Sequence, residues 1–260
     1  MKNYTLMSIF FLISIYCHAQ GELTFTSSDK GNVSEMTQKT LPAYIENGLV
    51  KGNINSSFGR NGNACKYNKD GIKESQIYDD GETRFSVDYV YHYEKSFVTS
   101  QEFYINHPAN LLWKTAHFKY NKTQKKITQI IMISAEGDTL ETTTYLYNKK
   151  QLEQEIYCNY LYPDEKYISE FYYTDNKSCK PSSAKYFSLI DGEKKLGSSC
   201  TSSYDEHGNE LENKMFDADG KLTSIKENRY SYDKKGNWIR RETYLDKEVY
   251  NLTEREFKYY

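Results

Sequence analysis

The stretch "YSYDKKGNWIRRETY", residues 230–244, decides the fold because it recurs. A close copy, "SSYDEHGNELENKMF", occupies 202–216, and a weaker one, "CKYNKDGIKESQIYD", occupies 65–79. Its centre reads as a hairpin corner. Asp233 is placed to accept hydrogen bonds from backbone amides ahead of it. Lys234 and Lys235 suit the middle of a type I turn, and Gly236 suits the positive φ that closes the hairpin with a bulge, before Asn237. Asp205, Gly208 and Asn209 repeat this pattern, and Asn68 with Gly71 carries it at 67–71.

Aligning the chain on the Tyr before each corner gives Tyr67, Tyr93, Tyr120, Tyr147, Tyr173, Tyr204, Tyr232 and Tyr259, in steps of 26, 27, 27, 26, 31, 28 and 27. Two residues earlier stand Cys65, Tyr91, Phe118, Tyr145, Phe171, Ser202, Tyr230 and Phe257. Such a period marks a repeat architecture. A second turn signal lies inside most periods, as in Asp79-Asp80-Gly81, Asp191-Gly192 and Asp217-Ala218-Asp219-Gly220. Two strands and two turns fill each period and leave no room for a helix. The expected fold is all-β: over residues 65–260, a repetitive antiparallel hairpin meander forming a twisted or curled sheet of about 14 strands. In "ITQIIMIS", residues 127–134, both strand faces are apolar, as in a buried strand.

The flanking segments read differently. "MKNYTLMSIFFLISIYCHA" has a basic start, an apolar run from Leu6 to Tyr16 and small residues ahead of Gln20. Residues 1–19 are thus expected to be a secretory signal peptide, with lipidation at Cys17 as the rival reading. The chain is therefore expected to be exported (periplasmic, cell-surface or secreted), with no integral membrane segment after cleavage. Residues 20–64 are rich in Gly, Asn and Ser and are expected to be a cap or loop, with a short helix around Glu35–Asn47.

A net charge of −2 with interspersed signs gives no basis for nucleic-acid binding. The 26 tyrosines suit half-buried strands, where the ring packs and the hydroxyl stays wet. Once Cys17 is removed, Cys65, Cys158, Cys179 and Cys200 permit two disulfides in three connectivities, or else buried thiols. Cys179 and Cys200 are the candidate pair, because both lie in the longest step and a hairpin at Asp191-Gly192 brings their strands together.

The corners at Tyr204-Asp205-Glu206-His207-Gly208-Asn209 and Tyr230 to Trp238, with Asp217-Ala218-Asp219-Gly220 between them, resemble the YD-repeat (RHS-repeat) family. The match is good over about 200–260 and degenerate over 65–200. The resemblance implies an exported or cell-surface protein of wound β-hairpins. Some members enclose a toxin domain and some are described as carbohydrate-binding. The shared motif is a turn and transfers no catalytic residue.

His92, His107, His117 and His207 lack metal-ligand spacing, and no nucleophile, phosphate-loop or zinc-protease motif occurs. No enzyme, metal or cofactor is expected. Trp238, Trp113, Tyr230 and Tyr232 are the candidate ligand-binding residues, as rings on which a sugar stacks, with core packing as the competing reading. The expected function is a binding module for a glycan or a protein. The alternative is a scaffold acting through its sheet edges. In that reading the last strand, near Thr253–Tyr259, is an open edge, and Glu254, Arg255, Glu256 and Lys258 keep its association weak.

Overall fold

A computed structural model describes residues 32–53, 61–79, 84–94, 97–106, 110–121, 126–148, 151–161, 166–174 and 180–260. Among these residues the regular secondary structure is all strand. In chain order these are β1 (Val33–Glu46), β2 (Leu49–Gly52), β3 (Asn61–Tyr67), β4 (Lys73–Asp79), β5 (Arg84–Glu94) and β6 (Phe97–Asn106). Next come β7 (Asn110–Asn121), β8 (Lys126–Ser134), β9 (Thr139–Asn148), β10 (Gln151–Asn159), β11 (Lys166–Tyr172) and β12 (Ser183–Ile190). The last are β13 (Glu193–Tyr204), β14 (Glu210–Asp217), β15 (Leu222–Tyr232), β16 (Trp238–Leu245) and β17 (Glu248–Tyr259).

From β3 to β17 each strand pairs antiparallel with the next, as a hairpin meander requires. Two long-range pairings then change the architecture. β1 pairs with β17, Met36 opposite Phe257, and also with β3, Met36 opposite Cys65. The sheet therefore closes into a barrel, with β1 and β3–β17 as its 16 staves. This corrects the expected open sheet of about 14 strands. It also corrects the cap with a helix at 35–47, because that segment is the stave β1. β17 is no free edge: it bonds to β16 on one side and to β1 on the other. Closure removes the unpaired N–H and C=O groups on which an edge scaffold depends.

β2 adds no stave. It folds back on the end of β1 through a turn with positive φ at Asn47 (53°) and Gly48 (76°). Val50 then packs with Tyr244 and Leu252, and Arg240 Nη2 donates to the Val50 carbonyl at 2.6 Å.

The pairing register assigns the two walls. Met36, Cys65, Val87, Ala116, Tyr145, Phe171, Ala184 and Cys200 share one face and are only 1–6% exposed. Among the described residues no element covers that face from outside, so it is the concave inner wall, where side chains converge. The aromatic mark of each repeat lies there, with most of the large core cluster around Tyr145, Leu152 and Phe171. The outer wall carries ion pairs, Glu35–Lys258 at 2.6 Å, Glu212–Lys214 at 2.8 Å, and Arg240 with Glu242 and Glu254 at 3.1 and 3.3 Å, and a polar contact between His92 Nε2 and Glu102 Oε1 at 3.0 Å. No helix among the described residues is long and apolar enough to cross a membrane.

The corner residues act as read from the sequence, and they also bond to the neighbouring repeat. Asp233 Oδ1 accepts the Lys235 and Asn237 amides, both at 2.9 Å, and Gly236 has φ 82°. Asp205 Oδ1 accepts the His207 and Asn209 amides at 2.9 and 2.7 Å, and Gly208 has φ 81°. The corner Tyr one repeat later then locks each turn. Tyr259 Oη donates to Asp233 Oδ2 at 2.5 Å, and Tyr232 Oη donates to Asp205 Oδ2. Asn237 and Asn209 close each clasp by donating Nδ2 to the same hydroxyl, at 3.0 and 2.8 Å. A register shift beside most corners is the bulge that the turn predicts.

Candidate functional site

Two places on this frame combine access with binding chemistry. The first is a cleft at the barrel rim, where β9 turns into β10 and β11 ends. It has a volume of about 490 Å³ and is lined by Asn148, Gln151 and Glu153 on one side and by Phe171, Tyr172, Tyr173 and Thr174 on the other. That size suits a small ligand. Phe171 belongs to the core, whereas the Tyr172 ring is 44% exposed. Tyr172 is held in place by its hydroxyl, which donates to Glu170 Oε2 at 3.0 Å, and the Lys185 ammonium lies 5.8 Å from its ring centre. Tyr173 is anchored by a 3.0 Å bond from its hydroxyl to the Leu152 carbonyl.

The second is the inner wall where β15, β16 and β17 meet. Trp238 lies there, partly exposed, with Tyr230 edge-on at 5.9 Å. The guanidinium carbons of Arg255 and Arg241 lie 3.6 and 5.4 Å from the Trp238 ring centre. Arg240 and Arg241 face opposite walls as consecutive strand residues do, and the bulge at Ile239 makes Arg241 the one that faces inward with Trp238. The inner wall also holds Glu155 on β10. It is 4% exposed, its Oε2 lacks a hydrogen-bond partner, and burial pushes its carboxyl up to about 7.

The structure thus brings Trp238, Tyr230 and Tyr232 together on one wall, but not with Trp113. Trp113 is the extra residue of a bulge in β7, 45% exposed, with the Lys114 ammonium 4.4 Å from its ring centre. Tyr232 is occupied by the Asp205 clasp. Burial and that carboxylate push its hydroxyl well above the ordinary range. Asp205, Gly208, Asn209, Asp233, Gly236 and Asn237 are all turn residues. Cys179 lies outside the described residues. Its expected partner Cys200 is a buried free thiol, 3.5 Å from the Tyr186 hydroxyl. Among the described residues no group of three or more His, Cys, Asp or Glu side chains is placed to hold a metal ion. Arg241, Tyr172 and Glu155 escaped the sequence reading, and Arg255, expected there to guard an open edge, instead faces the inner wall of a strand paired on both sides, because the wall that each faces depends on bulges and register.

No protein-family model matches this chain, and no curated protein matches it significantly. Among solved structures, the chain is similar to porin-like proteins from Bacteroides uniformis and Bacteroides vulgatus. Each is 11% identical with a TM-score of 0.49, over 88% of this chain and 98% or 99% of theirs. It is also similar to a LolA superfamily protein from Nitrosomonas europaea, 8% identical with a TM-score of 0.26, over 94% of this chain and 90% of that one. At these scores the barrel assignment rests on the strand pairings themselves.

Proposed function

We propose that this protein is an exported binding barrel that captures a glycan in its rim cleft. The observation that carries this reading is the exposed ring of Tyr172 beside the amide and carboxylate side chains of Asn148, Gln151 and Glu153. An aromatic platform flanked by hydrogen-bonding groups is what the two faces of a sugar require: C–H groups for the ring, hydroxyls for the amides. The apolar run ahead of Gln20 supports export, and the charged outer wall supports a barrel bathed in water.

The test is a glycan array on the full chain, followed by calorimetric titration of the best binder. Tyr172→Ala is expected to weaken binding by about tenfold or more while the circular dichroism and melting curve stay unchanged. An array without binders, or a folded Tyr172→Ala protein that binds as the wild type does, overturns the proposal.

A further inference from the structure

We propose that Glu155 gates the rim cleft: while its carboxyl is protonated the cleft holds its ligand, and when the carboxyl ionises the cleft loosens and lets the ligand go. The gate rests on the glycan reading of that cleft and makes capture reversible by alkali. Three observations converge.

The first is a shared frame. Every residue that lines the cleft belongs to β9, β10 or β11 or directly follows β11. Glu155 lies on β10, the middle strand of the three, with Tyr145 of β9 and Ser169 of β11 as its register partners. The bulge at Glu153 turns both Leu152 and Glu155 inward and leaves Glu153 in the cleft.

The second is a mechanical tie between that stretch of β10 and the two cleft tyrosines. The Leu152 carbonyl accepts the Tyr173 hydroxyl at 3.0 Å. Gln154 Nε2 donates to Glu170 Oε1 at 3.4 Å. Glu170, which also pairs with Lys194, accepts the Tyr172 hydroxyl on Oε2 at 3.0 Å. A displacement of residues 152–155 therefore disturbs the exposed ring and its neighbour together.

The third is an ionisable group set where its charge is poorly supported. Glu155 is 4% exposed, and its Oε2 lacks a hydrogen-bond partner. The titratable groups around it are Tyr145 and Tyr147 on β9, with Glu141 farther along that strand, Tyr157 on β10 and Tyr167 on β11. The Lys126 ammonium of β8 lies 4.2 Å from the Tyr147 ring centre. Burial raises the Glu155 carboxyl to about 7 with no offsetting cation. Once ionised, the carboxylate has to reach water, and β10 has to leave the wall to let it. Each pH unit above about 7 favours that open arrangement about tenfold.

The test has two arms. In the first, the best array binder is titrated calorimetrically into the wild type and Glu155→Gln. Between about pH 5.5 and about pH 8.5 the wild-type affinity is expected to fall about tenfold or more, while the variant keeps its value. A constant wild-type affinity, or a fall of the same size in the variant, overturns the gate and leaves the glycan reading standing. An array without binders removes the glycan reading, and the second arm then tests the opening itself. Backbone hydrogen exchange of both proteins is compared at about pH 8.5. Amides of β9–β11 are expected to exchange about tenfold faster in the wild type, and those of β15–β17 at matching rates. Equal rates over β9–β11 overturn the gate. Glu155→Leu, neutral and suited to an apolar wall, takes the place of Glu155→Gln in both arms if that variant does not fold.

Discussion

On the β15–β17 side of the barrel, Tyr232 and Tyr259 donate their hydroxyls to the carboxylates of Asp205 and Asp233. Across β10–β13, Tyr173 and Tyr204 donate theirs to the backbone carbonyls of Leu152 and Pro181, at 3.0 and 3.1 Å. The same job, tying a corner Tyr to the preceding repeat, is done with a side-chain acceptor in one region and a main-chain acceptor in the other. A side-chain acceptor restricts the residue at that position, whereas every residue supplies a carbonyl. The tyrosine spacing therefore survives where the Asp and Gly of the motif have been lost. The inner walls of the two regions differ as well: Glu155, with one carboxylate oxygen lacking a hydrogen-bond partner, stands in one, and Arg241 and Arg255, flanking the Trp238 ring, in the other. On a ring of 16 staves, β9 and β17 are eight apart.

The largest expected effect belongs to Glu155. The groups facing it on adjacent staves are Tyr145 and Tyr147 on β9 and Ser169 on β11, none of them cationic. Burial raises its carboxyl from 4.5 to about 7. The folded state thus holds a proton that the unfolded chain releases above pH 4.5, so stability is lost as pH rises from there through about 7. At 1.36 kcal/mol per unit, the loss is about 3 kcal/mol. Glu155→Gln should remove most of that slope and melt higher than the wild type at pH 8. Denaturant unfolding of both proteins between pH 4.5 and 8 measures it. An equal slope in the variant would show that Glu155 is not the group responsible.

Next in size is the corner glycine of the regular region. At φ 82°, Gly236 occupies a backbone conformation that a β-branched residue resists. Gly236→Val should lower stability by about 2 kcal/mol. The same change at Gly197 should cost less, because its φ is ordinary and an added Cβ would meet only the Tyr186 carbonyl, at 3.7 Å. Equal melting temperatures for the two variants would break the turn assignment.

The hairpin unit was legible in the sequence because each of its determinants is local: Tyr, then Asp or Asn, then Gly, all within one turn. Closure was not. β1 bonds to residues more than two hundred positions away in β17, and its segment, Glu35–Asn47, carries no corner Tyr and includes Pro42. Pro42 fits because its carbonyl accepts the Asn53 amide at 2.7 Å, a bond that needs no N–H from proline. The inner-wall arginines were hidden for a different reason. Strict alternation from Tyr232 cannot tell which of Arg240 and Arg241 faces inward, because the bulge at Ile239 resets the parity.

The finest test of the comparison is a pair of hydroxyl deletions. Tyr259→Phe and Tyr173→Phe each keep the ring and remove one acceptor-bound O–H. The first bond ends on an ionised carboxylate and the second on a neutral carbonyl. The expected losses are about 2 and about 1 kcal/mol, the former at the low end for a charged acceptor because its turn is half-exposed. The pH dependence separates the two more sharply than the magnitudes do. Burial alone would raise the Asp233 carboxyl, but the bonds from Tyr259 and the Asn237, Lys235 and Gly236 amides outweigh it and hold it below its ordinary 3.8. A depressed carboxyl contributes stability that is present above its unfolded value and is lost as pH falls through its folded one. The deficit of Tyr259→Phe should therefore shrink as pH drops below 3.8, while that of Tyr173→Phe stays constant. Parallel denaturant titrations of the two variants and the wild type at neutral and acid pH read both quantities. Two deficits that shrink together on acidification would mean that the carboxylate and carbonyl clasps do not differ in the way their geometry implies.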